Sequence, residues 1–200
     1  MRAVAYIDLG TLEENYKTIR AGVPHNIKVL CVVKADAYGH GAVQVSRRLE
    51  ENGVDYLGVA NIEEGMELRK AGIRSPILVM GGILPWDMEE PFYEYDLEPV
   101  IYDAGMIERL KGKSFRSGKT MKVHIKVDTG MGRLGFRPEE VPHVVRAMKE
   151  MPHIKIEGCM SHFSSSEVRD EYGLNQIRIF EKSLRAMREE GVAPKLAHMA

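Results

Sequence analysis

Apolar and polar positions along the chain repeat one unit. A short run of Val, Ile and Leu leads into a polar turn, and a stretch with apolar residues at helical spacing follows. The apolar runs predict strands over Lys28–Val33, Tyr56–Ala60, Ile77–Met80, Glu98–Tyr102, Met121–Val127, Ile154–Met160 and Leu196–Ala200. Between them the spacing predicts helices over Ala42–Asn52, Ile62–Ala71, Pro138–Met151 and Glu171–Glu190. A further helix over Leu12–Ala21 has Leu12, Tyr16 and Ile19 on one face. Gly53, Gly72 and Gly191 each follow a helical stretch, where a left-handed cap needs glycine. The acidic and aromatic run EEPFYEYD (89–96) reads as a partly exposed helix.

Strands and helices alternating at this spacing imply βαβ units and a parallel sheet. Polar chemistry recurs at the C-terminal end of strand after strand, where barrels collect their sites. The predicted fold is therefore a (β/α)8 TIM-type barrel, in preference to an open doubly wound sheet. Residues 1–200 form one domain with no linker or low-complexity tract. Only seven strands are found, and a barrel needs an eighth to close, so the expected barrel is truncated after the seventh strand.

Composition narrows the function. The chain has 200 residues, a formal net charge of −1 and a pI of about 6.7. It has no basic footprint for nucleic acid or an anionic membrane. No apolar run approaches the length of a membrane span, and the first twenty residues are too polar for a signal peptide, so the expected location is cytoplasmic. Cys31 and Cys159 lie in apolar runs without metal-ligand spacing and read as reduced core residues. The twelve methionines are scattered and read as core filler.

One stretch does not fit a purely structural reading. In VLCVVKADAYGHGA (29–42), five apolar residues run straight into Lys34, and a glycine-punctuated turn follows. A lysine at a strand end ordinarily packs its stem and leaves its ammonium in water. Partial burial instead disfavours the charged form and yields a nucleophilic or Schiff-base amine. Tyr38, Gly39, His40 and Gly41 lie between that strand and a helix opening near Ala42. Backbone N–H groups of such a turn and a tyrosine hydroxyl suit a phosphate. An electrophile-capturing lysine near a phosphate site points to pyridoxal 5′-phosphate.

These residues resemble the pyridoxal-phosphate attachment segment of alanine racemases, and three later or earlier stretches agree in order. IDLGTLEENYKTIR (7–20) resembles the family's opening strand and helix, HIKVDTGMGRLGF (124–136) its arginine loop, and EGCMSHFSSSE (157–167) its sixth-strand histidine segment. The resemblance implies that Lys34 forms the Schiff base with pyridoxal 5′-phosphate and serves as one of two catalytic bases. It implies that Tyr38 binds the phosphate and that Arg133 lies near the cofactor oxygen and the substrate carboxylate. His162 and His198 would belong to a hydrogen-bonded network beside the cofactor, with His162 counted among the catalytic residues. Lys126 matches a lysine that is carbamylated in many members. The implied activity is interconversion of L- and D-alanine, supplying D-alanine for peptidoglycan, in a full-length homodimer. The family's eighth strand, its arginine facing the pyridine nitrogen and its C-terminal β domain with the second-base tyrosine have no counterpart in these residues. The segment alone is accordingly expected to be weakly active or inactive.

Other readings stay open at this point. GMGRLG (130–135) is a literal G-x-G-x-x-G, the dinucleotide fingerprint. Pro138 marks helix initiation after these glycines, so the third would not pack inside the helix as a nucleotide fold requires. A barrel decarboxylase of the same cofactor class and a barrel that only carries the cofactor are the alternatives. The Y-G-H-G turn after Lys34 fits both less well. Serine, or a broader amino-acid set, remains open as substrate.

Overall fold

The computed structural model describes residues 3–111 and 119–200. These form two compact units, residues 3–81 with 94–97, and residues 82–93 with 98–111 and 119–200.

In the first unit, α1 (Leu9–Ala21) precedes β1 (Leu30–Val32), α2 (Ala42–Glu51), β2 (Tyr56–Val59), α3 (Ile62–Lys70) and β3 (Ile77–Val79). The three strands run parallel. Leu30 pairs in register with Tyr56, and Leu57 with Ile77. Every residue of β2 and β3 is buried, which is what strands sandwiched between helices require, and Leu57, Val59, Ile77 and Val79 are wholly inaccessible. α2 turns Ala42, Val45, Ser46 and Leu49 toward the core. Truncating a residue such as Leu57 to alanine costs about 2–5 kcal/mol in sites of this kind.

Two expectations change here. β1 is shorter than its apolar run and not covered on both faces, since Val32 is 37% exposed while Val33 is buried. The opening strand before α1 does not form: residues 3–8 pair with no strand among the described residues, and Val4 and Tyr6 are exposed. An extended segment becomes a strand only where a neighbour completes its ladder. What the IDLG stretch does supply is a cap, because Asp8 Oδ1 accepts from the N–H groups of Gly10 (2.8 Å) and Thr11 (3.1 Å).

Following α4 (Glu90–Glu94), the second unit holds β4 (Leu97–Ile101) from Glu98 onward, α5 (Ala104–Leu110), β5 (Met121–Lys126), α6 (Val141–Lys149), β6 (Ile154–Ser161), α7 (Glu171–Glu189) and β7 (Leu196–Met199). β4 through β7 are again parallel and adjacent in chain order, with one irregularity between Val123 and His124 where β5 meets β6. Val100, Ile101, Val123, Ile125, Cys159 and Met187 form its wholly buried centre. The helix predicted over Pro138–Met151 begins as a 3-10 turn, Pro138–Glu140, before α6. α4 buries Phe92 and Tyr93, so the aromatic run is more buried than its acidity suggests. α5 had no clear signal in sequence; Asp103 caps it by accepting from Met106 N–H at 3.0 Å. Gly53, Gly72 and Gly191 have φ of 76°, 89° and 78°, as left-handed caps require. Both cysteines are free thiols, which burial pushes up to about 11 for Cys31 and about 12 for Cys159. Among the described residues no helix is long and apolar enough to cross a membrane, and no group of His, Cys, Asp or Glu is placed to hold a metal.

Candidate active site

Lys34 stands one residue beyond the buried Val33, whose N–H donates to Gly58 O at 2.8 Å and carries the β1–β2 ladder to the rim. The chain then does something unusual. Ala35, Asp36, Ala37 and Tyr38 all have φ between 51° and 55°, one full left-handed turn without a glycine. Each such residue costs roughly 1–2 kcal/mol, so the turn persists only because its surroundings impose it. The Ala37 N–H donates to Val33 O (3.0 Å) and the Gly41 N–H to Asp36 O (2.9 Å). Asp36 Oδ1 accepts from the first amide of α2, Ala42, at 2.6 Å. Glu64 clamps the turn from α3: its Oε1 accepts from Ala35 N–H at 2.9 Å and its Oε2 from Ala60 N–H at 2.7 Å.

This turn folds the Tyr38 ring back toward the lysine, with Lys34 Nζ 5.9 Å from its centroid. Lys34 is half-buried and Tyr38 is 61% exposed, so the amine lies at an open rim rather than in a dry pocket. The Ala42 amide, counted on the sequence as part of a phosphate-binding helix start, is already satisfied by Asp36. Tyr38 is exposed in this turn, as are Asp36 and His40.

The second unit carries the other expected residues. Arg133 is exposed, on a loop that folds as a lasso: Asp128 N–H donates to Phe136 O and Phe136 N–H to Lys126 O, each at 2.9 Å. Asp128 Oδ1 accepts from Gly130 N–H (2.9 Å) and Gly132 N–H (3.0 Å) inside it. Gly130, Gly132 and Gly135 have φ of 138°, 72° and 134°. The third glycine therefore packs against the Asp128 backbone rather than inside a helix, unlike a dinucleotide turn. Lys126, on β5, is buried. Burial first, and then the nearby Arg133 cation, lower its pKa below the usual lysine range, against a smaller opposing effect of Asp128.

His162 follows β6 directly. Its carbonyl accepts from Gln176 Nε2 at 3.2 Å, and this α7 amide, 1% exposed, also donates to Thr129 Oγ1 (3.3 Å) and accepts from Ser164 N–H (3.2 Å). The Thr129 and Ser161 hydroxyls meet at 2.7 Å, and Ser161 Oγ donates to Val127 O at 2.8 Å. One buried glutamine thus ties the loop after β5 to the loop after β6. His198, on β7, meets His124 of β5, with His198 Nε2 2.9 Å from His124 Nδ1. Burial, then His124, bring His198 down to about 4, so it is neutral at pH 7.

Lys34 with Tyr38 is brought together within the first unit, and Lys126 with Arg133 within the second. Glu64, Gln176, His124 and Glu98 were missed by sequence reasoning. A glutamate in an amphipathic helix and a glutamine in α7 look like solvated residues. Only Glu98 and His124 left a trace, as polar residues inside apolar strand runs.

The chain matches relatives over most of its length. A family model described as alanine racemase, N-terminal domain, covers residues 7–200. An alanine racemase of Geobacter sulfurreducens is 38% identical over 98% of this chain and 52% of its own length. One from Halothermothrix orenii is 41% identical over 88% of this chain and 50% of its own. Among solved structures, an alanine racemase of Clostridium difficile superimposes with a TM-score of 0.86 at 34% identity, covering 97% of this chain and 51% of that one. An alanine racemase of Bacillus anthracis with bound L-Ala-P gives 0.87 at 33% identity, covering 99% and 53%. The chain spans about half the length of the relatives it matches. Their likeness over nearly the whole chain, with the seven parallel strands, makes the fold that of an incomplete TIM-type barrel. The chain belongs to the alanine racemase family and corresponds to its N-terminal domain.

Proposed function

We propose that this chain is the cofactor-binding part of a racemase that interconverts L- and D-alanine, with pyridoxal 5′-phosphate held on Lys34. The observation that carries this reading is the clamped left-handed turn. It keeps a half-buried amine and a phenol on one side of the strand end at a cost of several kcal/mol, an expense that packing alone does not call for. The donor set fits the group: an amine for the aldehyde, and a tyrosine hydroxyl for a phosphate. When bound, pyridoxal 5′-phosphate supplies an electron sink for charge developing at the substrate α carbon.

The chain's own residues supply the rest. Lys34 holds and returns a proton on one face of that carbon. Arg133, exposed on its lasso, offers a planar fork to a substrate carboxylate, which a lysine would not reproduce. Lys126 is buried beside it with its amine biased toward the neutral form that carbamylation requires. The carbamate would give Arg133 an anionic partner, and intact mass would reveal it. His162 and His198 serve the network beside the cofactor. A second base is proposed to come from outside these 200 residues, in a full-length homodimer, so the segment assayed alone turns over alanine weakly or not at all. The family names of the relatives support alanine as substrate; a cytoplasmic role in supplying D-alanine for peptidoglycan is part of the same proposal.

The test is formation of D-alanine from L-alanine by the full-length protein with pyridoxal 5′-phosphate. Interconversion is expected in both directions and is lost in Lys34→Ala; a protein that binds the cofactor yet leaves both enantiomers untouched would overturn the reading.

A further inference from the structure

Three residues on three strands make a continuous contact that runs from two buried side chains to the half-buried His198. Glu98 of β4 is 2% exposed and His124 of β5 is 1% exposed, and His124 Nε2 lies 3.3 Å from Glu98 Oε2. The other nitrogen of His124 meets His198 Nε2 at 2.9 Å, with the rings edge-on at 72°. β6 lies between β5 and β7, so this contact has to pass over it. The residue in register with His124 on β6 is Gly158, which also pairs with Leu196 of β7. A Cβ built on Gly158 would come closer than 3.0 Å to His124 Nδ1, a separation real Cβ atoms do not show. The one strand position that a side chain would block has none. The register irregularity at Val123/His124 sits at the same place.

The proton positions follow from the partners. Burial raises the Glu98 carboxyl, but hydrogen bonds from His124 and Lys122 outweigh that effect and hold it below its ordinary range, so it is ionised at neutral pH. A carboxylate only accepts, so His124 Nε2 carries the proton. Lys122 Nζ already pairs with Glu98 Oε1 at 3.1 Å, and the neighbouring carboxylate, Glu157, pairs with Lys155 at 2.6 Å and Lys195 at 3.6 Å. A second buried proton on His124 would then add a cation to a carboxylate already neutralised. With Nδ1 of His124 left as acceptor, His198 must donate from Nε2.

We propose that Glu98 and His124 are positioning residues that act through His198, fixing it as the neutral Nε2–H tautomer with Nδ1 presented as a hydrogen-bond acceptor, and that Gly158 is the gap that lets them reach it. The role of His198 at the site rests on the racemase reading; its tautomer does not. His198 would then recognise an N–H or O–H donor rather than an anion, and a fixed tautomer is how a histidine is committed to one partner.

Long-range 15N–1H correlation spectra of 15N-histidine-labelled full-length protein at pH 7 read this directly, with His198 assigned by the signals lost in His198→Gln. The expected spectrum has one His198 tautomer, protonated at Nε2. In Gly158→Ala and in His124→Phe that single form gives way to a mixture. An Nδ1–H form, a mixture or an imidazolium in the parent protein overturns the proposal. So does a His198 that keeps its single tautomer in a folded His124→Phe. If neither variant folds, the parent spectrum decides alone. The spectrum needs neither cofactor nor turnover, so it separates failure of this relay from failure of the racemase reading.

Discussion

Glu64 accepts the backbone N–H of Ala35, the residue after Lys34, at 2.9 Å with one carboxylate oxygen, while its other oxygen holds Ala60 at 2.7 Å. The two amides belong to segments that follow β1 and β2, so one side chain of α3 sets where the lysine-bearing strand ends. Glu64→Ala leaves two amides without their acceptor and releases a strained turn. Charged hydrogen bonds of this kind contribute about 1.5–3 kcal/mol each. A net loss of about 2 kcal/mol is expected in denaturant unfolding, because the relaxed turn recovers part of its strain. In the same variant, occupancy of Lys34 by pyridoxal 5′-phosphate, read from absorbance, should fall further than stability alone explains. Unchanged occupancy would mean that the turn does not position the amine.

Gln176 offers a comparison in the second unit. Its amide bonds Thr129, Ser164 and the His162 carbonyl from a position 1% exposed. Gln176→Ala strands those groups and opens a small void, which should cost about 2–4 kcal/mol. The change is measured as a lower urea midpoint at unchanged slope.

The arginine lasso distinguishes its glycines. A Cβ at Gly135 would lie 2.5 Å from the Asp128 nitrogen, at φ of 134°, whereas nothing lies within 4 Å of one at Gly132, at φ of 72°. Gly132→Ala pays only for its backbone, about 1 kcal/mol. Gly135→Ala adds a backbone clash, and its loss should exceed that of Gly132→Ala by more than about 2 kcal/mol. Equal losses from the two substitutions in parallel unfolding curves would show that the loop relaxes freely.

His198 predicts a pH dependence. Its pKa falls from an ordinary 6.5 to about 4 on folding, because burial and then His124 disfavour the cation. The unfolded chain therefore binds the extra proton first as pH drops. Stability is full above about 6.5 and declines as pH falls toward 4, by an amount on the order of 3 kcal/mol. Glu98, whose folded pKa is lowered, acts in the same direction at the acid end, from about 4.5 downward. His198→Gln should flatten the slope between pH 6.5 and 4.5 in unfolding experiments. A slope unaltered by that substitution would place the titration elsewhere.

Much of this was legible in the sequence, and the reasons it was are physical. Parallel strands covered by helices read as unbroken apolar runs, which is why β2 to β6 fall where Val, Ile and Leu cluster. Glycine caps mark helix ends because other residues resist positive φ. Lys34 stood out because an amine at the end of an apolar run conflicts with its own hydration. The hidden parts depend on neighbours distant in sequence. No local pattern signals that Ala35 to Tyr38 wind left-handed, since Glu64 imposes it from 29 residues away. Gly158 looks like a strand glycine until His124 is seen lying over it. The opening strand failed to appear because its apolar residues have no ladder partner among the described residues, a fact that alternation along one segment does not carry.

The attachment of the cofactor to Lys34 is the claim on which the functional account stands, and trapping it chemically tests it most directly. The full-length protein, incubated with pyridoxal 5′-phosphate, reduced with borohydride and digested, should give one peptide bearing the reduced adduct, with the label on Lys34 and none in Lys34→Arg. A label on Lys126 or another lysine, or no label at all, would contradict the account.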